Sequence, residues 1–276
     1  MGADASGGSA YLCHYRHGKA HNQTHQGAAG KNNGNQTCNK AFAFIVTTNE
    51  SSYMKYSLAD AKGKTMNTIG LKYLPTAGIW LVTIVLLVLI ERFSVPRYQW
   101  DRYLLSLAHE LRGFRLDRFF ALITWAGSLF ILVPVTALIC GFLARNGRAA
   151  DGWLLALSLA GIALFSRLAK LWFARPRPDL FPVIGDIPLD ASYPSAHTAQ
   201  IVAFVVALCW ILKPEKLGLT YCSLTGIALL LASLVAFSRI YLQVHFPSDV
   251  VGGALLGLLW VLGLFNLLHN IGIIMR

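Results

Sequence analysis

Charged residues are scarce in this chain, and acidic residues are scarcer than basic ones. Asp, Glu, Lys and Arg make up 13% of the 276 residues, whereas soluble domains carry roughly 25%. Hydrophobic residues make up 55%, and the mean hydropathy is +0.52. This balance excludes an ordinary soluble domain and is typical of an integral membrane protein.

Two further shortages narrow the class of protein. The five cysteines are scattered, so the sequence predicts no disulfide framework. The N-terminal region has no apolar core of a signal peptide, and we expect no cleavable one. The 24 basic residues outnumber the 13 acidic ones, but they lie between apolar segments rather than on a polar domain. Anionic lipid headgroups or phosphate-bearing substrates are therefore the expected partners, and nucleic acid is not.

Residues 1–70 differ in composition from the rest of the chain. They are rich in Gly, Asn, Ser, Lys and His, which predicts a disordered polar tail. A zinc site is the alternative, because this segment contains two cysteines and four histidines: Cys13, His14, His17, His21, His25 and Cys38. Their spacing matches no common zinc pattern, so we favour a tail without a metal. Met54 or Met66 is an alternative natural start of the protein.

From Leu74 onward, the sequence predicts six membrane-spanning helices. A spanning helix needs about 20 apolar residues. Six segments meet or approach that length: Leu74–Ile90, Phe119–Leu143, Trp153–Leu171, Thr198–Leu212, Leu217–Phe237 and Val250–Ile273. Pro134 predicts a kink in the second, and Gly252, Gly253 and Gly257 predict a close helix contact in the sixth. The predicted fold is all-α, a polytopic membrane helix bundle.

Between the first two spans, residues 91–118 mix charged side chains with apolar and aromatic ones. This pattern favours an amphipathic helix lying in the membrane interface, with an ordinary loop as the alternative. Six spans place both termini on one side and the loops after spans three and five on the other. We expect a multi-pass protein of the cell (inner) membrane with cytoplasmic termini and an extracytoplasmic site, although basic residues on both sides leave the orientation undecided.

The first two polar clusters lie around the predicted fourth span. Prolines end a helix, so Lys170 is expected on the last turns of the third span and Arg177 on the loop that follows, where both can bind one anion. Arg175-Pro176 is a second copy of the Arg177-Pro178 pair, and we choose Arg177 because of its spacing from Lys170. Ser195, Ala196 and His197 open the fourth span, where free backbone N–H groups favour a phosphate and Ser195 can cap the helix.

The third cluster separates the last two spans and contains Arg239, His245 and Asp249. Arginine can donate two hydrogen bonds to a phosphate. Asp249 can accept from one imidazole nitrogen of His245 and leave the other nucleophilic. A single arginine at a span end is more often an interfacial anchor, and a single histidine at a helix end is more often a cap. Three such clusters in order, on one predicted side, favour a phosphate site.

The pattern Lys-x6-Arg-Pro, Pro-Ser-x-His and Ser-Arg-x5-His-x3-Asp resembles the type 2 phosphatidic acid phosphatase (PAP2) superfamily. Here it runs from Lys170 through Ser195 to Asp249. The resemblance implies a metal-independent membrane lipid phosphatase without a cofactor, which works through a phosphohistidine. In that scheme His245 is the nucleophile, Asp249 orients it, and His197 is the general acid and then the base. Phosphate binding falls to the remaining motif residues, Lys170, Arg177, Ser195, Ala196 and Arg239.

Ala196 departs from the family pattern, which usually has glycine there. A methyl group is tolerated at this position if the φ angle is negative. The compact six-span layout with short loops looks like the bacterial members of the family, and our preferred substrate, by a small margin, is an isoprenyl diphosphate such as undecaprenyl diphosphate. Phosphatidic acid, phosphatidylglycerol phosphate and lipid A phosphates are alternatives. A phosphotransferase remains open because only the acceptor differs. A membrane transporter or scaffold with anchoring arginines is the remote alternative, since anchoring needs no carboxylate–imidazole pair.

Overall fold

The computed structural model describes residues 65–94, 99–185, 189–214 and 218–274. Within these ranges all regular secondary structure is helical, which confirms the predicted all-α class. The helices are α1 (Thr65–Ser94), α2 (Gln99–Glu110), α3 (Phe114–Ile123), a 3-10 turn (Thr124–Gly127), α4 (Leu129–Arg145), α5 (Ala149–Phe173), α6 (Ala196–Leu212), α7 (Leu219–Tyr241) and α8 (Pro247–Asn270). Residues 1–64 of the predicted polar tail lie outside the described residues, and the last six of that segment begin α1.

Four helices are long and apolar enough to cross a membrane: α1 over Lys72–Phe93, α5, α7 and α8. The segment from Phe114 to Arg145 makes a fifth if its two bent halves count as one span. The apolar α6 has 17 residues, fewer than a typical span. Four or five candidate spans are therefore present among the described residues, and the predicted number of six is not confirmed.

The predicted second span is broken in two, and the break is not at Pro134. The segment Phe114–Gly127 meets α4 at an angle of 46°, with Ser128 between them in an extended conformation. The Oγ of Ser128 accepts a hydrogen bond from the backbone N–H of Phe130, 3.2 Å away, and so caps α4. Pro134 stays inside α4. The capping preference of Ser128 explains the break. The apolar composition of this segment had instead predicted one continuous helix.

Helices α5, α6 and α8 supply most of the main core, and small residues bring two of them into close contact. A Cβ on Gly257 of α8 would lie 2.5 Å from the carbonyl oxygen of Ala199 in α6, and one on Gly253 would collide with that of Ser195. The predicted close approach at these glycines is confirmed. It fixes the start of α6 against the start of α8, where two of the three polar clusters lie.

The outer surfaces of the bundle are apolar. Large hydrophobic side chains are exposed along the helices, among them Leu81, Val82, Phe130, Leu138, Ile227 and Leu230. Such a continuous apolar surface needs a nonpolar solvent, which a bilayer supplies. In α2, Trp100, Tyr103, Leu104 and Leu107 are also exposed, while Asp101 and Leu105 are buried. The structure thus places a helix within residues 91–118, and its position in the membrane interface stays a prediction.

Candidate active site

The first cluster takes its shape from the end of α5. Ala174 adopts a left-handed conformation (φ 46°) and ends the helix, and the alternating prolines keep the next residues extended. Lys170, on the last turn of α5, is 5% exposed. Its Nζ donates to the carbonyl oxygen of Ala191 at 2.5 Å and lies 3.0 Å from Oδ2 of Asp190.

Arg177 reaches the third cluster, as predicted from its spacing. Its Nη1 donates to the carbonyl oxygen of Val244 at 2.7 Å and lies 3.3 Å from Nε2 of His245. Its Nη2 is paired with Oδ1 of Asp190 at 2.5 Å. Asp190 is thus bound by two cations at once. Although burial alone would raise the pKa of Asp190, the ammonium of Lys170 and the guanidinium of Arg177 hold that pKa below its usual range.

His245 and Asp249 form the carboxylate–imidazole pair that the spacing predicts. Nδ1 of His245 lies 3.3 Å from Oδ2 of Asp249, and both side chains are buried. A guanidinium can only donate, so Nε2 next to Arg177 is the accepting nitrogen and the proton is on Nδ1. Burial, followed by the charges of Arg239, Lys170 and Arg177, lowers the pKa of His245 well below its usual value. The imidazole is therefore neutral at neutral pH, with an unprotonated Nε2.

The second cluster begins α6. Ala196 is the first helical residue, and it has a negative φ like its helical neighbours, so the methyl group is accommodated. Ser195 is the N-cap residue by position, but its side chain makes no capping hydrogen bond. Instead its buried Oγ accepts from Oγ1 of Thr198 at 3.0 Å. The expected side-chain cap at Ser195 is wrong, because its hydroxyl oxygen accepts from Thr198 and from no backbone N–H of α6.

Six of the eight predicted site residues line one cavity of about 240 Å³. These are Lys170, Arg177, Ala196, His197, Arg239 and His245, joined by Ser128, Leu129, Phe130, Asp190 and Gln200. Nη1 of Arg239 donates to Oγ1 of Thr124, 2.6 Å away, in the 3-10 turn that precedes α4. The cavity thus lies at the break between α3 and α4. Ser195 and Asp249 are fully buried behind its wall.

The structure adds residues that the sequence did not single out. Arg175, set aside as a second copy of the arginine–proline pair, donates to Oδ1 of Asp249 and pairs with Asp101. Ser192 donates to Oδ2 of Asp249. Asp190 joins Lys170 to Arg177. One signal was visible in the sequence, because acidic residues are rare in this chain and number only 13.

This arrangement has the components of phosphoryl transfer without a bound cofactor among them. Three cations and the N-terminus of α6 surround a small cavity that suits an anion. His245 also lines the cavity, and a neutral imidazole can act as a nucleophile. A second histidine, His197, lines the same wall and is available for proton transfer.

Comparison with known proteins agrees with this chemistry. The sequence model of the PAP2 superfamily matches residues 151–273. Phosphatidylglycerophosphatase B of Bacillus subtilis is 34% identical over 139 residues, which are 50% of this chain and 68% of the relative. An undecaprenyl-diphosphatase of Sulfolobus acidocaldarius is 31% identical over 135 residues, 48% of this chain and 60% of the relative.

A solved structure shares the fold as well. The crystal structure of a transmembrane PAP2-type phosphatidylglycerolphosphate phosphatase from Bacillus subtilis matches with a TM-score of 0.58 and 28% identity. The match covers 68% of this chain and 92% of that one. These similarities show that the chain belongs to the PAP2 superfamily.

Proposed function

We propose that the protein is an integral membrane phosphatase that removes a phosphate from a lipid phosphate or diphosphate through a phosphohistidine on His245. One observation carries the proposal: His245 lines the cavity with Arg177, its Nε2 lies 3.3 Å from Nη1 of Arg177, and its Nδ1 lies 3.3 Å from Oδ2 of Asp249. The imidazole therefore presents its lone pair where a phosphate bound to Arg177 would lie.

The reaction follows in two steps. The lone pair on Nε2 of His245 forms a bond to phosphorus, the bond from phosphorus to the lipid oxygen breaks, and His197 donates a proton to that oxygen. His197 then takes a proton from water, the water oxygen bonds to phosphorus, and the phosphorus–nitrogen bond breaks. Lys170, Arg177 and Arg239 neutralise the charge on the phosphoryl oxygens throughout. The N–H groups that begin α6 at Ala196 add further donors, and Ser195 supports that turn from behind.

The proposal includes no metal ion and no cofactor. The charge neutralisation that a divalent cation gives in other phosphatases is available here from three side chains, Lys170, Arg177 and Arg239, all lining the cavity. Activity is therefore expected to be unaffected by EDTA.

The names of two relatives bear on which lipid is the substrate. Two relatives are named for phosphatidylglycerophosphate and undecaprenyl diphosphate, and both compounds are lipids that carry a terminal phosphate. We favour the isoprenyl diphosphate. For the lipid to reach the cavity from the bilayer, α6 and the bent pair are both counted as spans, which gives six. We propose that the site lies on the extracytoplasmic face of the cell membrane, with both termini cytoplasmic.

The test is phosphate release by purified protein in detergent from a panel of lipid phosphates, with and without EDTA. Wild type should release phosphate from at least one lipid, and His245→Ala should lose activity by at least about a thousandfold. The matched control is His269→Ala, since His269 lies at the far end of α8 and contacts Ile274. Full activity of His245→Ala would exclude the nucleophile. Transfer of the phosphate to a second lipid would identify a phosphotransferase instead.

A further inference from the structure

Arg175 and Arg177 are two residues apart, yet their side chains serve different groups. The guanidinium of Arg177 lines the cavity, whereas that of Arg175 is 1% exposed and lies between two carboxylates. Nη1 of Arg175 is 2.8 Å from Oδ1 of Asp249, and Nη2 is 3.0 Å from Oδ2 of Asp101. Arg175 also stacks over the ring of Phe246, with its Cζ 4.5 Å from the ring centroid. It is therefore placed to act on the catalytic pair rather than on the phosphate.

The contacts of Asp249 favour its ionised form. Oδ1 accepts from Arg175, and Oδ2 accepts from the backbone N–H of Phe246 at 2.8 Å, from the hydroxyl of Ser192 and from Nδ1–H of His245. Two of the four partners, the guanidinium of Arg175 and the backbone N–H of Phe246, can only donate, so the ionised form of the carboxyl group satisfies both of them. A fully buried carboxylate is stable only with a compensating charge, and Arg175 is the cation in direct contact with it.

Asp101 holds Arg175 from the other side. The carboxylate of Asp101 accepts from the backbone N–H of Ser248 at 2.9 Å and from its hydroxyl at 2.5 Å. The backbone N–H of Ser248 is in the first turn of α8, where it has no acceptor within the helix. A residue of α2 therefore caps a helix far along the chain. Oγ of Ser248 in turn accepts from Nη1 of Arg175 at 2.8 Å. The result is a closed set of contacts that joins α2, the loop after α5 and the start of α8.

We propose that Arg175 is a positioning residue of the phosphatase reaction, and that Asp101 positions Arg175. Arg175 keeps Asp249 ionised and turned toward Nδ1 of His245, which keeps the proton on Nδ1 and the lone pair on Nε2. The surface helix α2 thereby becomes part of the catalytic apparatus. The kinetic part of this proposal depends on the proposed phosphatase activity, and the tautomer of His245 does not.

The test compares Arg175→Gln, Arg175→Lys and Asp101→Asn with wild type. Arg167→Gln is the matched control, because Arg167 is an exposed arginine on α5 and its replacement removes the same charge. With a lipid phosphate that wild type hydrolyses, kcat of Arg175→Gln should fall by about a hundredfold, the scale of a catalytic group displaced by ~1 Å. KM should change little. Arg175→Lys keeps the charge and should retain an intermediate kcat, and Asp101→Asn should show a smaller loss than Arg175→Gln.

The second readout is nitrogen NMR of histidine-labelled protein in detergent, with His245→Ala identifying the signals. Wild type should show a protonated Nδ1 and an unprotonated Nε2 in His245, and Arg175→Gln should show mixed or reversed tautomers. If Arg175 had only a structural role, its replacement would leave the tautomer of His245 unchanged. It would also not lower kcat while leaving KM unchanged. If Arg175→Gln does not fold, Arg175→Lys is measured in the same way.

The two proposals fail in different ways. If wild type hydrolyses no lipid phosphate, the proposed function is wrong, and the tautomer measurement still decides the role of Arg175. If wild type is active and Arg175→Gln or Arg175→Lys keeps its kcat and its tautomer, the positioning role is wrong. A raised KM with unchanged kcat would also contradict it, because it would make Arg175 a phosphate-binding residue.

Discussion

The Nζ of Lys170 lies 3.0 Å from Oδ2 of Asp190, and the other oxygen of the same carboxylate lies 2.5 Å from Nη2 of Arg177. Two of the three cations expected to bind phosphate are therefore already paired with an anion of the protein. The Asp190 side chain is 46% exposed, so it can leave the pair without unfolding the surrounding helices. A phosphate that binds Lys170 and Arg177 has to displace it.

Replacing Asp190 by Asn should strengthen the binding of anions. Because the carboxylate competes for Lys170 and Arg177, its neutral replacement should lower the inhibition constant of inorganic phosphate about fivefold, equivalent to about 1 kcal/mol for partly exposed ion pairs. KM should fall in parallel, since binding in the ground state is affected. The measurement is inhibition of lipid phosphate hydrolysis by phosphate and by vanadate.

Asp179→Asn is the matched control for this experiment, because Asp179 is an exposed aspartate on the same loop. It should leave both inhibition constants unchanged. Weaker inhibition of Asp190→Asn than of wild type would mean that Asp190 positions the two cations rather than competing for them.

Replacing His197 by Ala should separate the two chemical steps. A poor leaving group such as a lipid alcohol needs the general acid, so its hydrolysis should fall by about 10²–10⁴-fold. The nitrophenolate of p-nitrophenyl phosphate leaves without a proton, so the phosphoenzyme should still form and then wait for water. Rapid-mixing absorbance should show a burst of one equivalent of nitrophenolate followed by slow turnover. An equal loss for both substrates, without a burst, would contradict the role of His197.

The buried His245 should make the protein less stable in acid. Its pKa is lowered well below the usual value, so in the folded state it stays neutral while in the unfolded state it gains a proton below about pH 6.5. Unfolding then takes up a proton, and stability falls with decreasing pH by at most about 1.4 kcal/mol per pH unit for this group. Thermal unfolding in detergent between pH 7.5 and 5 tests this ~2.5-unit window. His245→Asn should show a shallower slope, and a slope equal to that of wild type would exclude His245 as the source.

The contact between α6 and α8 should tolerate no added methyl group. Gly257→Ala would place its Cβ 2.5 Å from the carbonyl oxygen of Ala199, a backbone atom that cannot rotate away. We expect a loss of about 1–3 kcal/mol in the free energy of unfolding and a lower Tm in detergent. Gly226→Ala on α7 is the control, since no other atom lies within 4 Å of the added carbon, and its Tm should match or exceed that of wild type.

The sequence predicts the residues that line the cavity better than the buried residues that hold them in place. Spacing alone selects Arg177 over Arg175, pairs His245 with Asp249 one helical turn apart, and places His197 at a helix start. These relations are local, so motif gaps and helix geometry express them. Arg175 meets Asp101 and Asp249 across 74 residues in each direction, and no local pattern in the chain encodes such contacts.

The fold shows the same division. Long apolar runs predict α1, α5, α7 and α8 because composition determines whether a helix is stable in a bilayer. The break at Ser128 escapes this reasoning, since a single capping hydrogen bond to Phe130 ends one helix and starts another within an apolar run. The role predicted for Ser195 is also wrong, because its hydroxyl oxygen accepts a hydrogen bond from Thr198 rather than from the backbone of α6.

Because Asp101 of α2 caps α8 at Ser248, the functional unit of this protein extends beyond the segment that carries the motif residues. The PAP2 match begins at residue 151, and every motif residue lies within it, yet the anion that completes the first turn of α8 comes from α2. A fragment that starts at residue 151 would carry all the signature residues and still lack this anchor. Supplying residues 65–145 as a separate polypeptide should restore activity to such a fragment, and the same polypeptide with Asp101→Asn should restore less of it.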